Sequence, residues 1–233
     1  MNKYDIFLFD ADGTLYDFPI AEEHALRNIF AQYSLAYTEE IRDIYRKINT
    51  QIWLAFEHKE ITKTQLQIVR FNRLFNEIGV DYTAAGISES EFNAKYLFEL
   101  GKGTFLIDGA YDVCREIISR GKKIYIVTNG ILATQESRIN HSPIKDFVSG
   151  FFVSEHVGYQ KPEIEYFEHV FSNIPKIDKS RILIIGDSLA NDIAGGNNAG
   201  IDTCWFNPAG VENTTGIVPT YEICGLKEVE RFA

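Results

Sequence analysis

The stretch Ile6-Phe7-Leu8-Phe9-Asp10-Ala11-Asp12-Gly13-Thr14-Leu15 decides the fold. It begins as an unbroken apolar run, too short for a globular helix, and stops abruptly at two carboxylates and a glycine. That pattern predicts a strand buried on both faces, with its carboxyl end opening at a ligand site. If the strand extends through Asp12, alternation points Asp10 and Asp12 to the same side. Gly13 then permits a tight turn and close approach by a ligand. Two adjacent acids repel each other unless a cation or a proton intervenes, so the pair implies a metal or a raised pKa. Asp-x-Asp-Gly is also ordinary turn chemistry, or part of a calcium loop.

Downstream of Leu15 the pattern turns helical. Ala21, Ala25, Leu26, Ile29, Phe30 and Tyr33 follow helical spacing, and Thr38 is placed to cap a second stripe of Ile41, Ile44, Tyr45, Ile48, Ile52 and Ala55. Thr62 or Thr64 opens a third helix carrying Leu66, Ile68, Phe71, Leu74, Phe75 and Ile78, stopped at Gly79. Ser88 or Ser90 opens a fourth through Phe92, Tyr96, Leu97 and Leu100. Four amphipathic helices with short connections suffice for a small bundle.

From Gly103 onward the chain alternates. Helix is expected over 110–120 and around 135–139. Two buried-type strands are expected, Lys123 to Gly130 running into a polar end and Arg181 to Asp187 ending in a carboxylate, with a short strand over 151–154. Pro162 is read as a first-turn proline of the helix through Phe171. A glycine-rich helix over 191–199, strands around 203–206 and 218–223, and a helix over 226–232 follow. Such alternation predicts an α/β fold, a Rossmann-like parallel sheet with helices on both faces. The first strand needs that sheet to be buried, so the core is expected to be discontinuous. It would comprise 1–15 and 103–233, with an all-helical domain, 16–102, inserted between.

The chain has 233 residues, 45% of them apolar and 24% charged, which suits one large soluble domain or two unequal ones. Lys and Arg number 23 against 33 Asp and Glu, a formal charge of −10. That balance argues against non-specific binding of nucleic acid or an anionic membrane, yet allows an anionic small substrate in a locally positive pocket. Cys114, Cys204 and Cys224 show no Cys-x-x-Cys pairing and are expected to be reduced thiols of a cytoplasmic protein. Asp5 and Asp10 spoil a signal peptide, and no segment reaches the apolar length of a membrane span.

In open parallel sheets, ligands bind beyond the carboxyl ends of the strands. Asp10 and Asp12, then Thr128, Asn129 and Gly130, then Asp187 stand at such ends, and the loop carrying Lys161 lies on the same edge. Asp192 falls at the start of the next helix. Singly, these residues read as turn formers, an Asx turn, a solvated lysine and a helix cap. Together they are several carboxylates, a hydroxyl, an amide and a lysine at one sheet edge. No Ser-His-acid or Cys-His set accompanies them, and the five histidines lack zinc-ligand spacing. Oxygen-only ligands favour Mg²⁺, and acids, lysine and threonine around such a metal suit phosphoryl transfer.

Asp10-x-Asp12-Gly13-Thr14-Leu15, Thr128-Asn129, Lys161-Pro162 and Gly186-Asp187-Ser188-x-x-Asn191-Asp192 resemble, in order and spacing, the four motifs of the haloacid dehalogenase (HAD) superfamily. The helical insert resembles its C1-type cap. Asn49-x-x-x-Trp53, Thr128-Asn129-Gly130 and Ser154-Glu155-x-Val157-Gly158-x-x-Lys161-Pro162 are similar to the house-cleaning pyrimidine 5′-nucleotidases of that superfamily. The resemblance implies Asp10 as nucleophile of an aspartyl-phosphate and Asp12 as acid and base. It implies Mg²⁺ on the Asp10 carboxylate, the Asp12 carbonyl and Asp187, with Asp192 in support. Thr128 and the following amide, with Gly130, would meet the phosphoryl group, and Lys161 would offset its charge. The cap would exclude water, with Phe18, Trp53 and Phe56 as candidates for touching a base. The implied activity is hydrolysis of phosphomonoesters, foremost pyrimidine nucleoside monophosphates. The alternatives are a phosphatase of a sugar or other small metabolite, a phosphomutase, a 2-haloacid dehalogenase, or a silent binding module.

Overall fold

The computed structural model describes residues 3–82, 86–176 and 178–233. Six strands, β1 (Ile6–Phe9), β2 (Lys123–Thr128), β3 (Val148–Val153), β4 (Ile182–Gly186), β5 (Asp202–Phe206) and β6 (Tyr221–Ile223), form one parallel sheet in the order β3-β2-β1-β4-β5-β6. The strand order reverses direction between β1 and β4, the position where a crevice opens at the carboxyl ends of such sheets. Phe9 pairs in register with Ile126 on one side and Ile185 on the other. The residues after β1, β2 and β4 therefore leave the sheet side by side.

Alternation along β1 explains why its run is apolar throughout. Phe7 and Phe9 join Ile124, Ile126, Leu183 and Ile185 in one core layer, while Ile6 and Leu8 join Tyr125, Val127, Ile182 and Ile184 in the other. A strand with core on both faces has no place for a polar side chain.

The chain divides into two compact units, residues 1–18 with 104–233 and residues 19–103. Four helices dominate the second: α1 (Phe18–Gln32), α2 (Glu39–Glu57), α3 (Lys63–Glu77) and α4 (Glu89–Leu100). Thr38 caps α2 by accepting from the Ile41 N–H, and Thr62 and Gln65 form a reciprocal capping box on α3. Phe71 anchors the interior, stacked on Tyr45 at 5.5 Å and edge-on to Phe92 at 4.8 Å. Ile68, expected on the buried stripe of α3, is exposed, and Arg70 is buried instead. Two residues beyond Leu66 turn a helix by about 200°, so Ile68 faces away. Arg70 points inward with Leu66, Phe71, Leu74 and Phe75 and donates to the Tyr45 hydroxyl at 3.3 Å.

Five helices accompany the sheet: α5 (Ala110–Ser119), α6 (Leu132–His141), α7 (Ser154–Val157), α8 (Ile164–Ser172) and α9 (Ala194–Ala199). α5 covers one face through Val113, Cys114 and Ile117, and α8 covers the other through Tyr166, Phe167 and Val170. No described helix is long and apolar enough to cross a membrane.

Several expectations are corrected. β1 ends at Phe9, and Asp10 and Asp12 do not continue its alternation: the N–H groups of Leu15 and Tyr16 both return to the Ala11 carbonyl, curling the chain. β3 starts at Val148, before the expected Phe151, because Ser149 and Gly150 interrupt its apolar signal. Pro162 lies ahead of α8 in a turn closed by the Glu163 N–H on the Gln160 carbonyl, after a cis Lys161–Pro162 peptide. The segment expected as one helix over 191–199 is a wider π-helical turn, Leu189–Ile193, followed by α9, since Asp192 and Ile193 both donate to the Ser188 carbonyl. The final segment, Leu226–Phe232, is a 3₁₀ helix.

At the amino edge of the sheet, the Asp5 carboxylate accepts from Arg181 and, at 2.7 Å, from Lys122. Those two hydrogen bonds pull its pKa down to about 2. A depressed folded-state pKa stabilises the fold above the unfolded value and loses that contribution as pH falls through the folded one. Asp5→Asn should therefore lower the urea midpoint at pH 7 by an amount worth about 1 kcal/mol or less, given the partial exposure. The gap to the parent should narrow below about pH 4 and close towards about pH 2. A gap that stays constant across that range contradicts the assignment.

Candidate active site

Lys161 is the buried centre of the sheet's carboxyl edge, 2% exposed. Its ammonium donates to Asp10 Oδ1 at 2.6 Å, to Asp192 Oδ1 at 2.6 Å and to the Val127 carbonyl at 2.9 Å, which uses all three of its protons. Burial works against its charge, but Asp10 and Asp192 outweigh that and raise its pKa. The Asn129 side chain clamps the lysine's own backbone, donating to the Lys161 carbonyl and accepting from its N–H, both at 2.9 Å.

Asp10, Asp187 and Asp192 each offer a carboxylate oxygen within 4.8 Å of the others. Asp10 follows β1, Asp187 follows β4, and the π-helical turn after Ser188 brings Asp192 back to them. Glycines make the room. Gly13 has φ +83°, and a Cβ there would stand 2.6 Å from Asp187 Oδ2; a Cβ on Gly186 would collide with the Asp192 carboxyl. Thr14 donates to Asp187 Oδ1 at 3.2 Å, and the Trp205 indole N–H holds the Asp187 carbonyl at 2.9 Å.

Three carboxylates around one ammonium leave two formal negative charges in excess. Burial, together with Asp192 and Asp187, pushes the Asp10 carboxyl well above its usual range despite the pull of Lys161. Asp187 keeps accessible surface, yet the protein around it and the Asp192 charge push it up to about 7. Acids held this close call for a further cation. All-oxygen donors and an excess of two charges fit a hard divalent ion such as Mg²⁺.

The Asp12 carboxylate has partners of its own outside that cluster. It accepts from Gln135 and from the guanidinium of Arg138, both on α6. Thr128, buried at the end of β2, accepts from the Gly130 N–H at 3.0 Å, leaving its own hydroxyl proton to donate. A Cβ on Gly130 would run into the Gln135 amide. Of the remaining candidates, Trp53 is half-buried on α2 with its ring edge-on to Phe56 at 5.7 Å, and Phe18 is half-buried at the first position of α1. Sequence reasoning missed Gln135 and Arg138. The sequence offers only a Gln and an Arg three apart on one helix face, soon after Thr128-Asn129-Gly130, and the fold buries both.

A sequence model of the haloacid dehalogenase-like hydrolases matches residues 4–200, most of the chain. The chain belongs to that family. It is 41% identical to the HAD-hydrolase YfnB of Bacillus subtilis, over 98% of this chain and 95% of that one. It is 36% identical to the pyrimidine 5′-nucleotidase PynA of Streptococcus pneumoniae, over 97% of this chain and 93% of PynA. It is 32% identical to the pyrimidine 5′-nucleotidase YjjG of Escherichia coli, over 99% and 98%. The crystal structure of magnesium-bound YfnB covers 98% of each chain with a TM-score of 0.90 at 40% identity. These relatives align this HAD hydrolase with the phosphatases of the family, and the six-stranded sheet is the Rossmann-like sheet of HAD enzymes.

In this HAD hydrolase the buried lysine neutralises carboxylates that cannot reach bulk water. Lys161→Met should cost about 3–5 kcal/mol of stability, because it strands buried charge. Adding Asp192→Asn to that variant should restore part of the loss, because one uncompensated carboxylate is then gone. Urea denaturation of the parent, single and double variants measures both effects; a double variant weaker than Lys161→Met contradicts the charge argument.

Proposed function

We propose that this chain is a Mg²⁺-dependent phosphomonoester hydrolase that works through an aspartyl-phosphate on Asp10 and acts foremost on pyrimidine nucleoside monophosphates. One observation carries the reading: Asp10, Asp187 and Asp192 meet around the buried Lys161 ammonium with negative charge in excess. The likeness to PynA and YjjG, both pyrimidine 5′-nucleotidases, supports the substrate class.

The Asp10 and Asp187 carboxylates and the Asp12 main-chain carbonyl would hold Mg²⁺, which supplies charge to the phosphoryl oxygens. Asp192 orients Lys161 through its 2.6 Å contact. Asp10 attacks phosphorus, and the leaving alkoxide takes its proton from Asp12. Water then gives a proton to Asp12 as it attacks the acyl-phosphate, which frees Asp10 and releases phosphate. The Thr128 hydroxyl and the Asn129 N–H, with Gly130 beside them, bind phosphoryl oxygen, and Lys161 balances the charge on Asp10 throughout. This reading assigns substrate selection to Trp53 and Phe18. The 2-haloacid dehalogenase reading is weaker, because that reaction asks for no second acid beside the nucleophile.

With p-nitrophenyl phosphate at saturating Mg²⁺, Asp10→Asn should abolish turnover while keeping the parent's circular dichroism. Undiminished turnover in that variant removes the nucleophile. In parallel assays, pyrimidine nucleoside monophosphates should be hydrolysed faster than hexose phosphates, and EDTA should stop both reactions. A strong preference for hexose phosphates overturns the nucleotidase reading and leaves the phosphatase.

A further inference from the structure

We propose that Arg138 and Gln135 are positioning residues for Asp12, fixing its carboxylate where it meets the leaving-group oxygen. The inference rests on the phosphatase reading, and deepens it by naming what orients the acid. Each Asp12 oxygen has its own donor: Arg138 Nη1 reaches Oδ1, and Gln135 Nε2 reaches Oδ2. Two donors on two oxygens set both the direction of the carboxylate and its plane. One donor alone would leave it free to rotate.

The donors themselves are held. Arg138 has no exposed side-chain surface and lies over the Tyr16 ring, 5.4 Å from its centroid. Gln135 is 1% exposed, and its amide fills the space that a side chain on Gly130 would take. Both project from one face of α6, which begins just after Thr128-Asn129-Gly130 at the end of β2. The segment that presents the phosphoryl-binding hydroxyl thus also presents the two groups that aim Asp12.

Asp12 needs this help because it lies outside β1, in a turn that leaves its side chain without the packing of a strand. An acid that must reach one oxygen within hydrogen-bond distance loses most of its effect when displaced by about 1 Å. Its side chain is still 28% exposed, so the carboxylate is held without being sealed from a substrate.

The test uses two phosphomonoesters of similar size. p-Nitrophenyl phosphate loses a phenolate that needs little protonation, whereas p-nitrobenzyl phosphate loses an alkoxide that must be protonated as it departs. The ratio kcat/KM reports the step that releases this group. Arg138→Met should lower kcat/KM for the benzyl ester by about 100-fold, and for the phenyl ester by less than about 10-fold. Gln135→Ala should shift the two values in the same unequal way, by less. It leaves the ion pair in place, and so carries the comparison if Arg138→Met does not fold. Equal losses on the two esters, or no loss, in a folded variant overturn the proposal, because a merely structural role does not sense the leaving group. Asp10→Asn assayed alongside keeps the two ideas apart: activity remaining there defeats the phosphatase scheme, whatever the α6 variants do.

Discussion

A lysine ammonium closed off from water holds this site together. Lys161 has three protons, and two carboxylates and a carbonyl take them. An ion at that depth is tolerated only when its partners are fixed in place. The partners come from three distant parts of the chain: the end of β1, the last residues of β2 and the π-helical turn after β4. The site is thus complete only where the ends of β1, β2 and β4 lie side by side. The site still carries more negative charge than Lys161 can offset, a surplus that fits a divalent cation.

The sheet order converts local sequence into this convergence. β1 lies between β2 and β4 in register, so the residues following Phe9, Thr128 and Gly186 emerge together. Small residues keep that space open. Gly13 turns the chain with φ +83° where Asp187 leaves no room for a Cβ, and Gly186, at the end of β4, has no room for one beneath Asp192. The Asn129 side chain then ties the Lys161 loop to the end of β2 by two hydrogen bonds to the Lys161 backbone. The acids keep their positions despite mutual repulsion because the scaffold behind them is rigid.

Much of this was legible in the sequence. Apolar runs that stop at acids marked β1 and β4, and Thr38 and Thr62 announced their helices by capping chemistry that depends only on near neighbours. What was not legible depends on contacts across the fold. Nothing local says that the chain curls after Phe9 and sends Asp12 to α6, since the donors waiting there are more than a hundred residues away. Arg70 in the helical unit is a similar case: composition puts a charged residue outside, and the Tyr45 hydroxyl, the surrounding rings and the Glu22 charge make its burial tolerable. Pro162 misled because a proline ahead of a helix and a proline in the preceding turn leave the same trace in sequence.

The proposed hydrolysis passes through a covalent step at Asp10. Acid quench of the enzyme during turnover of ³²P-labelled substrate, followed by peptide mapping, tests it most directly. The label should be retained on the peptide that contains Asp10, and be lost when the acyl-phosphate is cleaved by hydroxylamine. Label on a different residue, or none on the protein when the quench captures the steady state of a variant slowed at Asp12, would contradict it.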